Sequence, residues 1–206
     1  MSDASTLQRL GLEALDRFYR RQAGIYDWTR PFILFGRREI VAGLGAGPES
    51  RVLDVGCGTG WNLGALAHRG AEVAGIECSP AMLRRAGQRV TRLGERFRVS
   101  LDPRPYGTRA DYRDQADRIL FSYSLSMMPP YLEILAHARA DLRSGGRIGV
   151  VDFLDALPPV NRWLERSHVA LGPERLEELR RLFPRHFLKV CRTGLWRYFL
   201  FWGEAD

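Results

Sequence analysis

No long hydrophobic run occurs in the sequence of 206 residues. The two densest apolar segments, residues 32–35 and 198–202, are far shorter than the roughly 20 residues that a membrane-spanning helix needs. The N-terminus also lacks the basic segment followed by an apolar one that marks a secretory signal. Because the composition, 45% hydrophobic and 27% charged, is typical of soluble globular domains, we expect a cytoplasmic protein.

Cysteine and histidine are scarce and irregularly spaced. The three cysteines, Cys57, Cys78 and Cys191, are odd in number and form no CxxC pair, so a disulfide framework is not expected. The four histidines show no metal-ligand spacing, and the sequence predicts no metal site. A surface or packing role is the expectation for all four: His68, His137, His168 and His186.

Lysine is almost absent, and Lys189 is the only one, yet the net charge is +7. The positive charge is therefore carried by arginine. A compositional preference for arginine on a solvated surface is one interpretation. The other is attraction to an anionic partner, either nucleic acid or an acidic membrane face.

Residues 51–60 combine a predicted strand with a glycine-rich loop. An apolar run reads as a buried strand, and Gly56, Gly58 and Gly60 follow it at alternate positions. Glycine at these positions lets the chain turn sharply and lets a ligand lie against bare backbone. Residues 61–68 have a helical pattern, so the loop lies between a strand and a helix.

Two carboxylates flank this loop in the sequence. Asp54 stands two residues before Gly56, and Glu77 ends a second apolar strand 21 residues after that glycine. An acid at the end of the second strand of a doubly wound sheet reaches the hydroxyls of a bound ribose. The spacing is GxGxG instead of the GxGxxG of dinucleotide sites, and Asp54 would repel a pyrophosphate but suits a cationic ligand. A structural turn beside a chance acid is the alternative.

Asp54, the GxGxG loop and Glu77 together resemble motif I and its following acid in the class I S-adenosylmethionine-dependent methyltransferases. The resemblance implies that S-adenosylmethionine is the cofactor, that Asp54 and the glycines hold its amino-acid half, and that Glu77 binds the ribose hydroxyls. Asp102 is a candidate for the adenine contact, although residues 101–105 depart from the family's pattern. The predicted cofactor-binding residues are Asp54, Gly56, Cys57, Gly58, Gly60, Glu77, Cys78, Ser79, Met82, Asp102 and Ser122.

Strands alternate with helices along the chain, which predicts a parallel α/β sheet. With the resemblance, the expected fold class is a Rossmann-like class I methyltransferase fold, a mostly parallel seven-stranded sheet with helices on both faces and a final hairpin. One domain is expected over 1–206, with a helical lid at 1–48 and the cofactor-binding core at 49–206. The predicted strands are 52–56, 72–77, 97–101, 118–123, 147–152, 188–193 and 198–202. Ser79 is predicted to cap a helix that begins at Pro80. Residues 144–146 are predicted to form a turn, and a helical stretch is expected within 160–183.

The N-terminal leader is predicted to be amphipathic. Leucines recur at helical spacing between residues 7 and 18, and a second helix is expected from Arg37 to Leu44. Arginines flank its aromatic residues, which suits docking on an anionic bilayer; a helix packed on its own domain is the alternative. The arginines are Arg20, Arg21, Arg30, Arg37 and Arg38.

Three short motifs have a more specific resemblance. Residues 26–30, 34–37 and 122–127 together are similar to the bacterial betaine-lipid N-methyltransferases. The resemblance implies successive N-methylation of the amine of diacylglycerylhomoserine, with the lipid drawn from an anionic membrane surface by a peripheral contact. The related phosphatidylethanolamine N-methyltransferases are the neighbouring family to exclude.

Methylation of a neutral amine needs no strong general base, because the lone pair is already available and most of the rate can come from positioning and desolvation. Tyrosine rings and hydroxyls suit the increasingly cationic product. We therefore predict Tyr26, Tyr19 and Tyr123 as catalytic residues, each of which could equally be a core aromatic. Asp152, at the end of the fifth strand, is predicted either to orient the acceptor or to cap a turn.

Other functions remain open on the sequence. An enzyme is expected, and a small-molecule methyltransferase acting on a quinone precursor or natural product is one alternative. A non-catalytic protein that binds S-adenosylmethionine and partners another enzyme is a second. Nucleic-acid methylation is not expected, because Met128 stands where the proline-proline-aromatic box of amino-group DNA methyltransferases needs an acceptor; prolines at a helix start explain Pro129 and Pro130.

Overall fold

The structure is a computed structural model that describes residues 33–108, 112–128, 130–167 and 169–206. Tyr19, Tyr26 and the predicted leader helix at 7–18 lie outside the described residues. The helices of the described part are α1 (Arg37–Gly43), α2 (Trp61–Ala67), α3 (Pro80–Leu93), α4 (Tyr131–Asp141), α5 (Pro158–Arg166) and α6 (Glu174–Leu182), with a short 3-10 turn at Leu125–Met127. The strands are β1 (Arg51–Val55), β2 (Glu72–Ile76), β3 (Val99–Asp102), β4 (Ala116–Ser122), β5 (Leu142–Ala156), β6 (His186–Arg192) and β7 (Trp196–Glu204).

These seven strands form one sheet in the order β3-β2-β1-β4-β5-β7-β6. Strands β1 to β5 pair in parallel, whereas β7 is antiparallel to both β5 and β6. This is the predicted Rossmann-like class I methyltransferase fold, with its final hairpin. Strands β1, β2, β4 and β5 all end at one edge, here called the carboxyl edge, where ligands bind in open α/β sheets.

Helices cover both faces of the sheet because successive strand residues point in opposite directions. Val52 packs into a hydrophobic cluster with Ile40 of α1 and Leu63 of α2. Its neighbour Leu53 packs into a second cluster with residues such as Leu179 of α6. A parallel sheet buried on both faces gives the near-continuous apolar runs seen in its strands.

Helix α1 shows that the described end of the predicted lid packs on the sheet. Ile40 and Val41 are buried, and Trp202 Nε1 of β7 donates a hydrogen bond to the Ile40 carbonyl oxygen at 3.2 Å. None of the helices in the described part of the chain has the combination of length and apolar character that crossing a bilayer needs.

Two local predictions need correction. The turn predicted at residues 144–146 lies within β5, which starts at Leu142; Gly145 there has φ +73°, and the pairing with β4 shifts register between Ala116 and Arg118. The helical stretch predicted within 160–183 is two helices, because Gly172 and Pro173 separate α5 from α6. The Ser79 cap is confirmed, since its side chain accepts from the backbone nitrogen of Met82 at 3.5 Å.

Candidate cofactor and active site

The glycine loop crosses the carboxyl edge between β1 and α2. Gly56, Gly58 and Gly60 have φ values of +70°, +58° and +77°, which residues with a Cβ rarely adopt. The backbone nitrogens of Gly56 and Cys57 both donate to the Ile76 carbonyl oxygen, at 2.8 and 3.0 Å, so β2 fixes the start of the loop. A Cβ added to Gly58 would meet no atom within 4 Å. The loop therefore presents an open face of bare backbone.

Asp54, the last but one residue of β1, has a buried carboxylate that is only half satisfied. Its Oδ1 accepts from Asn62 Nδ2 at 3.3 Å, while Oδ2 is buried and has no hydrogen-bond partner. Burial raises the pKa of Asp54 from 3.8 to about 7. An unpartnered buried carboxylate is costly in a folded protein, and a ligand ammonium would supply the missing partner. The site thus fits the cationic amino-acid half of S-adenosylmethionine.

Glu77 lies just beyond β2, and its carboxylate accepts hydrogen bonds both from the glycine loop and from the residue before α3. Oε2 accepts from Gly58 N at 3.0 Å, and Oε1 accepts from Ser79 N at 2.8 Å. Burial raises the pKa of Glu77, while these backbone donors oppose the rise. The carboxylate therefore ties the glycine loop to the start of α3, and its contact with the ribose remains a prediction.

The predicted residues around Glu77 fall into two groups. Cys78 and Ser79 follow it directly in the connection to α3, so they share the carboxyl edge with the glycine loop. Cys57 and Met82 are buried, and burial raises the pKa of the Cys57 thiol. Cys57 packs beside Gly75, where an added Cβ would lie 3.0 Å from the sulfur. These two side chains are therefore part of the packed interior next to the loop and the start of α3.

Asp102, at the end of β3, is already engaged with neighbouring side chains. Its Oδ1 accepts from Arg104 Nε at 2.8 Å, and its Oδ2 accepts from Arg104 Nη2 at 2.6 Å and from the Tyr112 hydroxyl at 2.9 Å. The guanidinium of Arg104 is the main reason that the pKa of Asp102 falls to about 2. An adenine contact by Asp102 remains a prediction, and it would have to share these oxygens.

Arg37 lies at the candidate site, whereas the sequence reasoning assigned it to membrane docking. Its guanidinium carbon lies 4.7 Å from the centroid of the Trp61 ring, and its Nε donates to Ser122 Oγ at 3.3 Å. The charge of Arg37 also opposes the rise in the pKa of Asp54. The structure therefore brings Arg37 together with Ser122, a predicted site residue, beside the glycine loop.

Asn62 and Ser124 were also missed. Asn62 is buried in the first turn of α2 and holds Asp54. Ser124 Oγ donates to the Val55 carbonyl oxygen at 2.6 Å, and a Cβ on Gly56 would lie 2.5 Å from Ser124 Cβ. A polar residue in the first turn of the helix after the glycine loop was a usable signal for Asn62, whereas the contact of Ser124 joins residues that are far apart in the sequence.

Tyr123 directly follows β4 and has an unusual backbone. Its φ is +58°, its side chain is buried, and its hydroxyl donates to the Phe35 carbonyl oxygen at 2.7 Å. The ring packs edge-on against Phe153 with the centroids 4.7 Å apart. Burial raises the pKa of the Tyr123 phenol, so it stays protonated at neutral pH. A contact with the acceptor remains a prediction for this residue.

Asp152 is buried beneath the 3-10 turn. Its carboxylate accepts from the nitrogen and the hydroxyl of Ser126, both at 2.7 Å, and from Phe153 N at 2.8 Å. Burial raises its pKa, and the nearby charge of buried Arg175 opposes that rise. Arg175 Nη2 donates to the Phe153 carbonyl oxygen at 3.3 Å, while Nε has no partner. These contacts show that Asp152 organises the 3-10 turn after β4, and its role in orienting the acceptor remains a prediction.

No cluster of three or more histidine, cysteine or acidic side chains suited to a metal occurs among the described residues. His68 follows α2, His137 lies in α4, and His186 begins β6. His168 lies outside the described residues.

Comparison with known proteins agrees with this geometry. Residues 19–193 match the methyltransferase domain family. The demethylmenaquinone methyltransferase of Tropheryma whipplei (strain Twist) is 32% identical over 143 residues, which cover 66% of this chain and 58% of that protein. This chain thus spans somewhat over half the length of that curated relative.

Two solved structures share the fold. Phosphoethanolamine N-methyltransferase 2 of Haemonchus contortus, in complex with S-adenosyl-L-methionine, has a TM-score of 0.77 at 13% identity, covering 95% of this chain and 60% of that one. The 1,6-didemethyltoxoflavin-N1-methyltransferase of Burkholderia thailandensis, with S-adenosylhomocysteine bound, has a TM-score of 0.67 at 20% identity, covering 100% and 92%. The chain therefore belongs to the methyltransferase domain family and has the Rossmann-like fold of the S-adenosylmethionine-dependent enzymes.

Proposed function

We propose that this protein transfers the methyl group of S-adenosylmethionine to the amine of a membrane lipid, with diacylglycerylhomoserine as the acceptor. The observation that carries the cofactor assignment is the buried, unpartnered Oδ2 of Asp54 beside the open backbone of Gly58. The cofactor supplies an electrophilic methyl group on a sulfonium. Residues of this chain bind the cofactor, and they position and desolvate the acceptor.

Two residues of opposite charge suit the amino-acid half of the cofactor. Asp54 would bind its ammonium, with the carboxylate oriented by Asn62. Arg37 would bind its carboxylate, since the guanidinium is held by Trp61 and Ser122 and is close enough to influence the pKa of Asp54. Glu77 would accept from the ribose hydroxyls while Gly58 N keeps the carboxylate in place.

The polar residues that follow β4, with Asp152 inside β5, favour an amine acceptor. Tyr123 and Ser124 donate their hydroxyl protons to backbone carbonyls, and Ser126 donates to Asp152. Asp152 already accepts from three donors. These groups are poorly placed to remove a proton from carbon or from a phenol. A neutral amine needs only to be positioned and desolvated, which a rigid, hydrogen-bonded rim can do.

Methylation of a quinone precursor is the second candidate. It is supported by the curated relatives, which are named demethylmenaquinone methyltransferases. A ring carbon becomes nucleophilic enough only when a base removes a proton from the acceptor. This candidate therefore requires a base that the contacts of Asp152 and Tyr123 do not supply.

The test combines purified protein with methyl-labelled S-adenosylmethionine and vesicles that differ in one component. That component is diacylglycerylhomoserine, phosphatidylethanolamine or a reduced demethylmenaquinone, and vesicles without any acceptor are the control. We expect label in the homoserine lipid alone. Label in the quinone would favour the second candidate, and label in phosphatidylethanolamine would move the protein to the neighbouring specificity. Absence of label from all of them, with normal cofactor binding, would contradict a lipid acceptor.

A further inference from the structure

Large apolar side chains are exposed where β5 ends and the β6–β7 hairpin turns. Leu157, which precedes α5, is 48% exposed, and Leu195 at the hairpin tip is 51% exposed. Leu157 N donates to the Leu195 carbonyl oxygen at 3.0 Å, so the two residues are neighbours. Trp163, a little under two turns into α5, is 51% exposed. Large apolar side chains that are exposed next to one another are typical of surfaces that bind a protein or a membrane.

This group of residues adjoins the active site. Phe35, 41% exposed, lies beside Trp196 with ring centroids 6.1 Å apart, and Trp196 follows Leu195 in the chain. The carbonyl oxygen of Phe35 accepts the hydroxyl of Tyr123 at the end of β4. We call the four exposed residues the apolar rim: Phe35, Leu157, Trp163 and Leu195. The apolar rim therefore starts beside Tyr123, at the carboxyl edge of the sheet.

The charges around the apolar rim are mostly positive. Four exposed arginines lie on α5 and at the hairpin tip. The same region has only two carboxylates among the described residues, Glu165 on α5 and Asp155 near the end of β5. Within the described residues, only Arg197 among these arginines has a carboxylate partner, Asp155. Glu165, the other carboxylate, accepts from Asn161. The four arginines are Arg162, Arg166, Arg192 and Arg197.

We infer that the apolar rim is the surface by which the protein docks on an anionic phospholipid bilayer, so that a lipid headgroup can reach Tyr123 without leaving the membrane. The inference rests on the proposed lipid acceptor. Tryptophan and leucine insert at the boundary between headgroups and acyl chains, and arginines beside them pair with lipid phosphates. Each basic residue near an anionic membrane strengthens binding about fivefold, roughly 1 kcal/mol.

Vesicle binding tests the surface independently of catalysis. Co-sedimentation would compare vesicles of phosphatidylcholine with vesicles that are half phosphatidylglycerol, neither containing an acceptor. Trp163→Ser/Leu195→Ser should weaken binding to the anionic vesicles by at least about tenfold, and Arg162→Gln/Arg166→Gln by about 25-fold. The matched controls lie near the opposite edge of the sheet. Phe187→Ser, on a side chain that is 63% exposed, and Arg69→Gln/Arg92→Gln should each bind like the wild type.

Three outcomes would overturn the inference. They are wild-type protein that binds neither kind of vesicle, rim variants that bind as well as the wild type, and control variants that lose as much binding as the rim variants. A change in oligomeric state in the rim variants, with vesicle binding unchanged, would make the rim a contact between copies instead.

A second assay separates this inference from the proposed function. With the acceptor lipid dispersed in detergent micelles, the rim variants should keep the wild-type rate, while their rate on vesicles should fall with vesicle binding. Equal loss of rate in micelles and vesicles would mean that the rim acts within the catalytic site and is no docking surface. If neither assay gives transfer but vesicle binding follows the rim, the proposed acceptor fails and the surface stands.

Discussion

Replacing Asp54 by asparagine should stabilise the protein while removing its affinity for the cofactor. Burial raises the pKa of Asp54 from 3.8 to about 7, so the folded state retains a proton that the unfolded chain releases at lower pH. Stability contributed by this group is therefore lost as pH rises from about 4 to about 7, and the loss is complete above that range. A shift of about 3 pKa units corresponds to about 4 kcal/mol.

Asparagine cannot ionise, so the variant avoids this loss of stability at neutral and higher pH. Its net gain is nevertheless smaller than the full free-energy difference. Its side-chain oxygen can still accept from Asn62, as Asp54 Oδ1 does. Its amide nitrogen would stand where Oδ2 is buried without a partner, and an unsatisfied buried donor costs about 1–3 kcal/mol. We therefore expect Asp54→Asn to gain about 1–3 kcal/mol at pH 8, a rise in Tm of several degrees, and to be about 1–3 kcal/mol less stable than the wild type at pH 4, where the wild-type carboxyl is protonated in the folded protein.

Calorimetric unfolding of the cofactor-free proteins at pH 4, 6 and 8 measures this directly. Asp155→Asn is the control, because that exposed carboxylate pairs with Arg197 and its pKa is lowered. Saturating S-adenosylmethionine at about 100 times its Kd should stabilise the wild type by about 2.7 kcal/mol and leave Asp54→Asn unchanged. A variant that is less stable than the wild type at pH 8, or that gains as much from the cofactor, would refute the reasoning.

Three other substitutions test separate parts of the site. Gly58→Ala should fold, with a loss of about 1 kcal/mol in the free energy of unfolding because of its positive φ. The variant should bind the cofactor at least about tenfold more weakly in calorimetric titration. The control is Gly94→Ala, because Gly94 has φ +89° and equally open surroundings, and this variant should bind normally. Arg175→Met should destabilise the protein by about 3–5 kcal/mol in urea unfolding, because Asp152 would be buried without a compensating charge, and Asp152→Asn in the same chain should restore part of the loss. Tyr123→Phe should lower kcat with little change in cofactor Kd and reduce stability by about 1 kcal/mol; an unchanged rate would remove Tyr123 from the acceptor site.

The sequence was most informative where a structure depends on neighbouring residues. The glycine loop was predictable because glycines stand at three alternate positions where the backbone needs a positive φ. An apolar run that precedes the loop marks the strand before it. Asp54 and Glu77 followed from that loop, since parallel strands end at one edge. The cap by Ser79 was equally local, because the capping side chain and the nitrogen that it binds are three residues apart.

Contacts between distant segments were not predictable in this way. Arg37 meets Ser122 across 85 positions, whereas its place among arginines and aromatic residues had suggested membrane docking. Asp152 and Arg175 are both buried, and the charge of Arg175 acts on the pKa of Asp152 although the two residues lie on different elements, β5 and α6. Asp102 was proposed for the adenine, but Tyr112, ten positions further along the chain, already donates to one of its oxygens. In each case tertiary packing, and not local pattern, decides the partner.

The most direct test of the cofactor site is the proton exchange that accompanies binding. Calorimetric titration of the wild type with S-adenosylhomocysteine, in buffers of different ionisation enthalpy, counts protons released per site. With the pKa of Asp54 at about 7, an arriving ammonium should release about half a proton at pH 7 and about a tenth at pH 8. That fall would confirm that Asp54 receives the ammonium. Binding without proton release at pH 7, or with equal release at both pH values, would contradict it.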